Sequence, residues 1–183
     1  MDCKLKNMKL NLGCGDKKMV NFINVDIREN VKPDIVDDVS KLEKFNVNSI
    51  DLIYACHILE HFGRHEYKKV LSRWFNLLKE GGTLRLAVPN FESVCNLYIK
   101  NKKLSELIGL LYGGQTYPQN FHYYIWDFES LKKDLEEVGF KIVKLYDWRN
   151  TEHSHIDDYS QSYLPHMDKD NGTLMSLNVE AIK

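Results

Sequence analysis

Excess charge of either sign is missing from this chain: 25 Lys and Arg stand against 26 Asp and Glu, a formal net charge of −1. No bulk positive field draws it to nucleic acid or anionic lipid, so neither a nucleic-acid partner nor a membrane surface is expected, although a local basic patch stays open. Long apolar runs are also missing. Stretches such as Ile50 to Cys56 are interrupted by charge and fall far short of the ~20 residues that cross a bilayer. The start, Met1-Asp2-Cys3-Lys4-Leu5-Lys6, lacks the apolar centre of a secretory signal, which points to a soluble, cytoplasmic protein. Cys3, Cys14, Cys56 and Cys95 show no C-x-x-C spacing, so neither a disulfide framework nor a zinc knuckle is indicated. No repeat or low-complexity tract divides the chain. With 43% hydrophobic residues, eight Phe, ten Tyr and three Trp in 183 residues, one sizeable core can be filled, and residues 1–183 read as a single domain.

Short apolar runs alternate with helical stretches in the first half, the pattern of an α/β domain with a mainly parallel sheet. Strands are expected at 9–12, 22–26, 34–36, 50–55 and 83–88. Between the last two, Val70, Leu71, Trp74, Leu77 and Leu78 share one face of a helix spanning 66–78, with Gly81-Gly82 as its stop. One or two helices are expected over 91–112. An aromatic-rich loop follows, with Tyr117, Phe121, His122, Tyr123, Tyr124 and Trp126. Asp127 then caps a helix carrying Leu131, Leu135 and Val138, which Gly139 ends. Strands at 141–146 and 174–182 complete the pattern.

Chemistry concentrates at the strand ends. Asn11-Leu12-Gly13-Cys14-Gly15 follows the first strand, where two glycines let the backbone turn sharply and approach a ligand without a Cβ in the way. A G-x-G also marks ordinary tight turns, so its context matters. Asp26 ends the next strand, where a carboxylate can accept both hydroxyls of a ribose, and Asp38 follows the third, placed to accept from an adenine amino group. Ligand groups at three consecutive strand ends fit the crevice rule for open α/β sheets.

In these residues the chain resembles the class I S-adenosylmethionine-dependent methyltransferases. The resemblance rests on Leu12-Gly13-Cys14-Gly15, Val25-Asp26, Asp37-Asp38-Val39, Ser49-Ile50-Asp51-Leu52-Ile53, His57-Ile58-Leu59-Glu60-His61 and Leu78-Lys79-Glu80-Gly81-Gly82-Thr83-Leu84. It implies a Rossmann-like methyltransferase fold, α/β with a mainly parallel sheet and an antiparallel C-terminal strand. It also implies S-adenosylmethionine as cofactor, bound by Asn11, Gly13, Cys14, Gly15, Asp26, Asp38, Val39, Cys56 and His57. The later segments Leu111-Tyr112-Gly113-Gly114-Gln115 through His122, Val138-Gly139-Phe140 and Leu177 to Ala181 resemble a branch linked to glycan and surface-polysaccharide synthesis, which implies a small-molecule or glycan acceptor.

Two departures stand out. Asn11 replaces the acidic residue usual at the head of the glycine motif, and brings no charge to the ligand's ammonium. Only residues 16–21 lie between Gly15 and Phe22, whereas a parallel crossover usually needs a dozen or more, so the first crossover helix must be shortened. The same shortness disfavours a dinucleotide site, which needs a true helix facing its pyrophosphate.

In His57-Ile58-Leu59-Glu60-His61, positions i, i+3 and i+4 of a helical turn would bring His57, Glu60 and His61 to one point. Inverted zinc peptidases carry H-x-x-E-H on a long helix. Here it follows a strand and Gly63 interrupts it, which disfavours a zinc hydrolase. The segment is more similar to the E-x-x-E-H of small-RNA terminal 2′-O-methyltransferases and ubiquinone-pathway O-methyltransferases. That similarity implies a divalent ion held by His57, Glu60, His61 and the distant His122, and the exchange of Glu for His57 favours a borderline metal over magnesium. The plainer alternative is that Glu60 and His61 orient their loop and His57 packs near the cofactor. His122 is the first candidate for the base that receives an acceptor's proton, His61 the second, and Asp158, in the polar run His153-Ser154-His155-Ile156-Asp157-Asp158, the third. That run also reads as an ordinary solvated loop. A non-catalytic module that keeps only the fold is the competing reading of the whole chain. The acceptor's identity and the oligomeric state stay open.

Overall fold

Alternation of apolar and polar residues along each strand divides the main sheet into a greasy face and a polar one, and this division governs everything packed around it. The computed structural model describes residues 7–183; Cys3 and the rest of the Met1–Lys6 stretch lie outside the described residues. The strands are β1 (Lys9–Leu12), β2 (Ile23–Asp26), β3 (Ile35–Val36), β4 (Ile50–Cys56), β5 (Leu78–Pro89), β6 (Ile142–Leu145), β7 (Tyr163–Leu164), β8 (Thr173–Leu174) and β9 (Ser176–Ile182). The helices are α1 (Tyr67–Leu77), α2 (Phe91–Asn101), α3 (Ile108–Tyr112) and α4 (Phe128–Val138). Seven strands form one sheet in the order β3-β2-β1-β4-β5-β9-β6, and β7 pairs with β8 in a separate hairpin. β1 to β5 pair in parallel, while β9 runs antiparallel to both β5 and β6. The expected α/β sheet with an antiparallel C-terminal strand is what the chain forms.

Leu10, Leu12, Val25, Ile53, Ala55, Leu84, Leu86, Val88, Leu177, Val179 and Ala181 form the buried side of the sheet. α1 and α4 cover it, contributing Val70, Leu71, Trp74 and Leu77 from the first and Leu131 and Leu135 from the second. Each such side chain contributes roughly 1.5–3 kcal/mol on leaving water. Asp127 and Ser130 make a reciprocal capping box at the start of α4, and Gly139 ends it at φ 122°. The stop foreseen for α1 differs. The chain turns extended at Leu78 itself, and Gly81 and Gly82 lie inside β5, where the register against β4 shifts.

Along the same strands the opposite face presents Lys9, Asn11, Asn24, Asp26, Tyr54, Arg85, Asn178 and Glu180. No helix connects β1 to β2, β2 to β3 or β3 to β4, and a single 3-10 turn at Glu29–Val31 is all the helical structure in those links. A polar sheet face has no need of an apolar helix. Residues 147–162 cover it instead: the Tyr54 hydroxyl donates to Asp158 at 2.7 Å, the His153 ring lies 4.2 Å from that of Tyr54, and Arg85 Nη1 lies 3.4 Å from His153 Nδ1.

Side-chain amides pin the short β1–β2 link. Asn11 donates to the Lys17 carbonyl at 2.9 Å and to Asn24 Oδ1 at 3.0 Å, and Asn24 accepts from the Met19 amide at 2.8 Å while donating to Asp34 at 2.8 Å. A carboxylate at position 11 could not donate either of the first two bonds, which is a structural reason for the asparagine.

Candidate cofactor and acceptor site

A cavity of about 710 Å³ opens at the carboxyl ends of β1, β2 and β4. Its floor is the glycine turn and the first acidic strand ends; its far wall comes from the 109–122 segment and from 158–166. All nine residues expected at the cofactor line it: Asn11, Gly13, Cys14, Gly15, Asp26, Asp38, Val39, Cys56 and His57. So do His61, His122 and Asp158.

Gly13 and Gly15 adopt φ 61° and 51°, and a Cβ on Gly13 would sit 1.9 Å from Ile58 Cδ1. The turn therefore needs glycine for its conformation and for the close approach of β4's exit loop. The Gly15 amide donates to Asp26 Oδ2 at 2.8 Å, and the Arg28 amide to Oδ1 at 2.9 Å. The carboxylate is thus held by main chain and faces the cavity. Asp38 accepts from the Ser40 amide at 2.9 Å and from its hydroxyl, which leaves Oδ2 near Lys41 at 3.6 Å. Burial, reinforced by the nearby Asp26 charge, pushes the Cys14 thiol up to about 11, so it lines the cavity as a neutral group.

Beyond β4 the expected helix face does not form. His57 sits in the left-handed region at φ 52°, its amide bonded to the Ala87 carbonyl at 2.8 Å, and only Leu59–His61 makes a single 3-10 turn. His57 Nδ1 still lies 3.1 Å from Glu60 Oε1, but it does not join the set whose ligand atoms are all mutually close. The ligand atoms that do converge, all within 4.8 Å of one another, belong to Glu60, His61 and His122. His61 Nδ1 donates to the Phe121 carbonyl at 2.9 Å, and His122 Nδ1 to the Leu110 carbonyl at 2.9 Å, so each neutral ring carries its lone pair on Nε2. His122 Nε2 is 3.9 Å from Glu60 Oε1. Burial holds His122 below the ordinary imidazole range, against the pull of the Glu60 charge. Burial opposes the charge on Glu60 as well, yet the surrounding His57, His61 and His122 hold its carboxyl below the usual range. The Tyr123 amide bonds to the Glu60 carbonyl at 2.8 Å and locks the distant loop onto the 3-10 turn.

The late polar run does not converge on the cavity as a unit. His153 is buried against Tyr54, and His155 is exposed. Asp158 borders the cavity, but its oxygens accept from Tyr54 and from the amide and hydroxyl of Ser160, the arrangement of a cap on the 159–161 turn. Sequence reasoning passed over Arg28, whose guanidinium lies 4.9 Å from the ring of Tyr117 at the cavity wall, and over Tyr163 and His166 of the hairpin region. No local motif marks any of them.

Among the described residues no helix is long and apolar enough to cross a membrane. No curated protein matches the chain. Residues 7–145 match the family described as Methyltransferase domain. Among solved structures, a SAM-dependent methyltransferase from Archaeoglobus fulgidus is similar at 19% identity and a TM-score of 0.60, over 97% of this chain and 86% of that one. A possible histamine N-methyltransferase from Thermotoga maritima is similar at 14% identity and 0.59, over 96% and 82%. Phosphoethanolamine N-methyltransferase 2 of Haemonchus contortus, in complex with S-adenosyl-L-methionine, is similar at 17% identity and 0.52, over 77% of this chain and 34% of that one. The chain belongs to the methyltransferase domain family and folds as a class I S-adenosylmethionine-dependent methyltransferase.

Proposed function

We propose that residues 1–183 form a single methyltransferase domain that uses S-adenosylmethionine to O-methylate a sugar hydroxyl, on a small molecule or a glycan, in the cytoplasm. One observation carries this reading: the glycine turn and Asp26 share a cavity with two imidazoles whose Nε2 lone pairs are not engaged by main chain. Asp26 takes the ribose hydroxyls and Asp38 the adenine edge. The volume of about 710 Å³ leaves room for an acceptor beside the nucleoside.

Chemistry asks little beyond position and a proton acceptor. The hydroxyl oxygen attacks the methyl carbon in line with the C–S bond, whose electron pair returns to sulfur as the cation becomes a neutral thioether. The hydroxyl's proton passes to an imidazole, His122 first and His61 second. An imidazolium formed at His122 lies beside Glu60, which offsets its charge. Tyr117 and Tyr159 border the cavity with exposed rings suited to the apolar face of a sugar. The segment that carries the glycan-branch resemblance, residues 111–122, supplies Gly114, Tyr117, Asn120 and His122 to the same wall, which supports the acceptor class.

Calorimetry with S-adenosylhomocysteine, followed by labelled methyl transfer across pools of sugars and glycans, tests the reading. Binding and transfer to a hydroxyl are expected, with His122→Ala lowering turnover and leaving cofactor affinity nearly intact. Lack of cofactor binding would reduce the chain to a non-catalytic module with this fold, and transfer to nitrogen alone would overturn the acceptor class.

A further inference from the structure

Every residue from Tyr98 to Glu106 is exposed, where the end of α2 turns toward α3. Apolar side chains are not withdrawn from this corner. Ile99 is 64% exposed and Leu104 50%, and exposed apolar residues continue along α3 at Ile108 and Tyr112, four apart and so on one face of the helix. Lys100, Lys102 and Lys103 stand among them. Elsewhere on the surface lysines face carboxylates, as Lys132 does Glu136 at 3.9 Å and Lys133 does Glu137 at 4.0 Å. In the corner Lys103 has such a partner, Glu106 at 3.0 Å, whereas among the described residues Lys100 and Lys102 have none, and the Lys102 ammonium lies over the Tyr98 ring at 5.4 Å. The chain as a whole carries no positive excess, so this one is local.

We propose that the α2–α3 corner docks on an anionic bilayer surface, with Ile99, Leu104, Ile108 and Tyr112 entering the headgroup layer and the three lysines meeting lipid phosphates. Lysines interspersed with exposed aliphatic and tyrosine side chains are the composition of segments that lie in a membrane interface: the apolar groups enter the acyl boundary while the flexible ammonium stems reach the headgroups. A protein partner fits less well. The centres of protein interfaces are depleted in lysine and enriched in arginine, and residues 91–112 hold four lysines and no arginine. Each lysine near an anionic leaflet strengthens binding about fivefold, so the contact is weak enough to reverse. It also has a direction. Glu106, Gly109 and Leu110 border the cavity while Ile108 and Tyr112 are exposed, which sets α3 between the bilayer and the site. An acceptor carried on a lipid then reaches the cavity from the membrane surface. That consequence rests on the methyl-transfer reading; the docking does not.

The test sediments tag-free full-length protein with vesicles of phosphatidylglycerol and phosphatidylcholine in equal parts, and with vesicles of phosphatidylcholine alone. Binding to the first, none to the second, and release by high salt are expected. Lys100→Ala, Lys102→Ala and Lys103→Ala combined should weaken binding about 25-fold, the effect of two unpaired charges. Ile99→Ser with Leu104→Ser should weaken it at least about tenfold at unchanged charge. Lys132→Ala with Lys133→Ala, on α4, should leave it unaltered. An unchanged urea midpoint reports that each variant folds. Absence of binding to the anionic vesicles, or an equal loss from the α4 pair, would overturn the proposal. So would full binding by the Ile99 and Leu104 variant, which would make the corner a general polyanion site, or a parent dimer that this variant dissolves, which would make it a contact between copies. A protein that binds the vesicles but no S-adenosylhomocysteine would sink the methyl-transfer reading and leave the docking standing.

Discussion

The guanidinium of Arg28 lies along the carboxylate of Asp26, with Nε 3.2 Å from Oδ1 and Nη2 3.3 Å from Oδ2. Its other side is covered by the Tyr117 ring. The group expected to receive the ribose hydroxyls is therefore already engaged by a cation, so nucleoside binding must exchange one set of donors for another. On that basis Arg28→Ala should bind S-adenosylhomocysteine as well as or up to about tenfold more tightly than the parent chain, by removal of a competitor. Asp26→Ala should lose at least 100-fold, since it removes the acceptor and releases the Gly15 amide from the turn. Calorimetry on the two variants decides it; a large loss in Arg28→Ala would make the arginine a cofactor ligand.

Gly13 gives a second expectation. Alanine there meets both the positive φ and the Ile58 side chain. The conformational part alone costs about 1–2 kcal/mol, and the contact adds to it. Gly13→Ala should lower the melting temperature and weaken nucleoside binding together. Adding Ile58→Ala should restore part of the melting temperature, because it clears the contact and leaves φ unchanged. Restoration of none of it would show that the backbone conformation dominates.

His153 ties stability to pH. Burial, reinforced by the nearby Arg85 charge, pushes its imidazole down to about 4, and Nε2 is buried without a partner. In the unfolded chain an imidazole titrates near ~6.5. The unfolded state thus binds the proton first as pH falls, so stability is fully present above ~6.5, declines toward 4 and loses nothing more from this group below that. The decline amounts to about 3 kcal/mol. Urea unfolding between pH 7.5 and 4.5 should show that slope in the parent chain and a shallower one in His153→Phe. Parallel slopes would assign the acid sensitivity elsewhere.

Lys183 offers a fourth, on stability alone. Its buried ammonium donates to the carbonyls of Phe75 at 2.9 Å and Leu78 at 2.8 Å and to Asn48 Oδ1 at 2.8 Å. A cation at the end of α1 satisfies acceptors that the helix leaves open and complements its dipole. Lys183→Met fills similar volume without the charge and should cost about 2–4 kcal/mol, read as a lower urea midpoint at an unchanged slope. Cofactor affinity should not move.

Much of the site was legible because its signals are local. A glycine pair after a strand, a carboxylate at the end of the next, and Asp127 with Gly139 bracketing a helix are all short-range physics, and each stands where expected. Misreadings arose where one element met another. The H-x-x-E-H spacing is a helical argument, and the chain there is a left-handed residue followed by a 3-10 turn, so His57 stays against Glu60 but does not close with His61 and His122 into one mutually close group. Asp158 looked like free acid in a polar run, yet Tyr54, far away in sequence, takes one of its oxygens.

By itself, then, the order of residues determined which strands form the main sheet, how short the first crossover is, and that three strand ends carry ligand groups, since period and turn chemistry act over a few residues, whereas the β7–β8 hairpin was not expected. Tertiary structure alone decided that residues 147–162 take the place of helices on the polar sheet face, that Tyr54 takes an oxygen of Asp158, and that the Tyr117 ring covers the guanidinium of Arg28. Those contacts join segments whose separation along the chain leaves no periodic trace, and only packing of the sheet against its loops brings them within bonding distance.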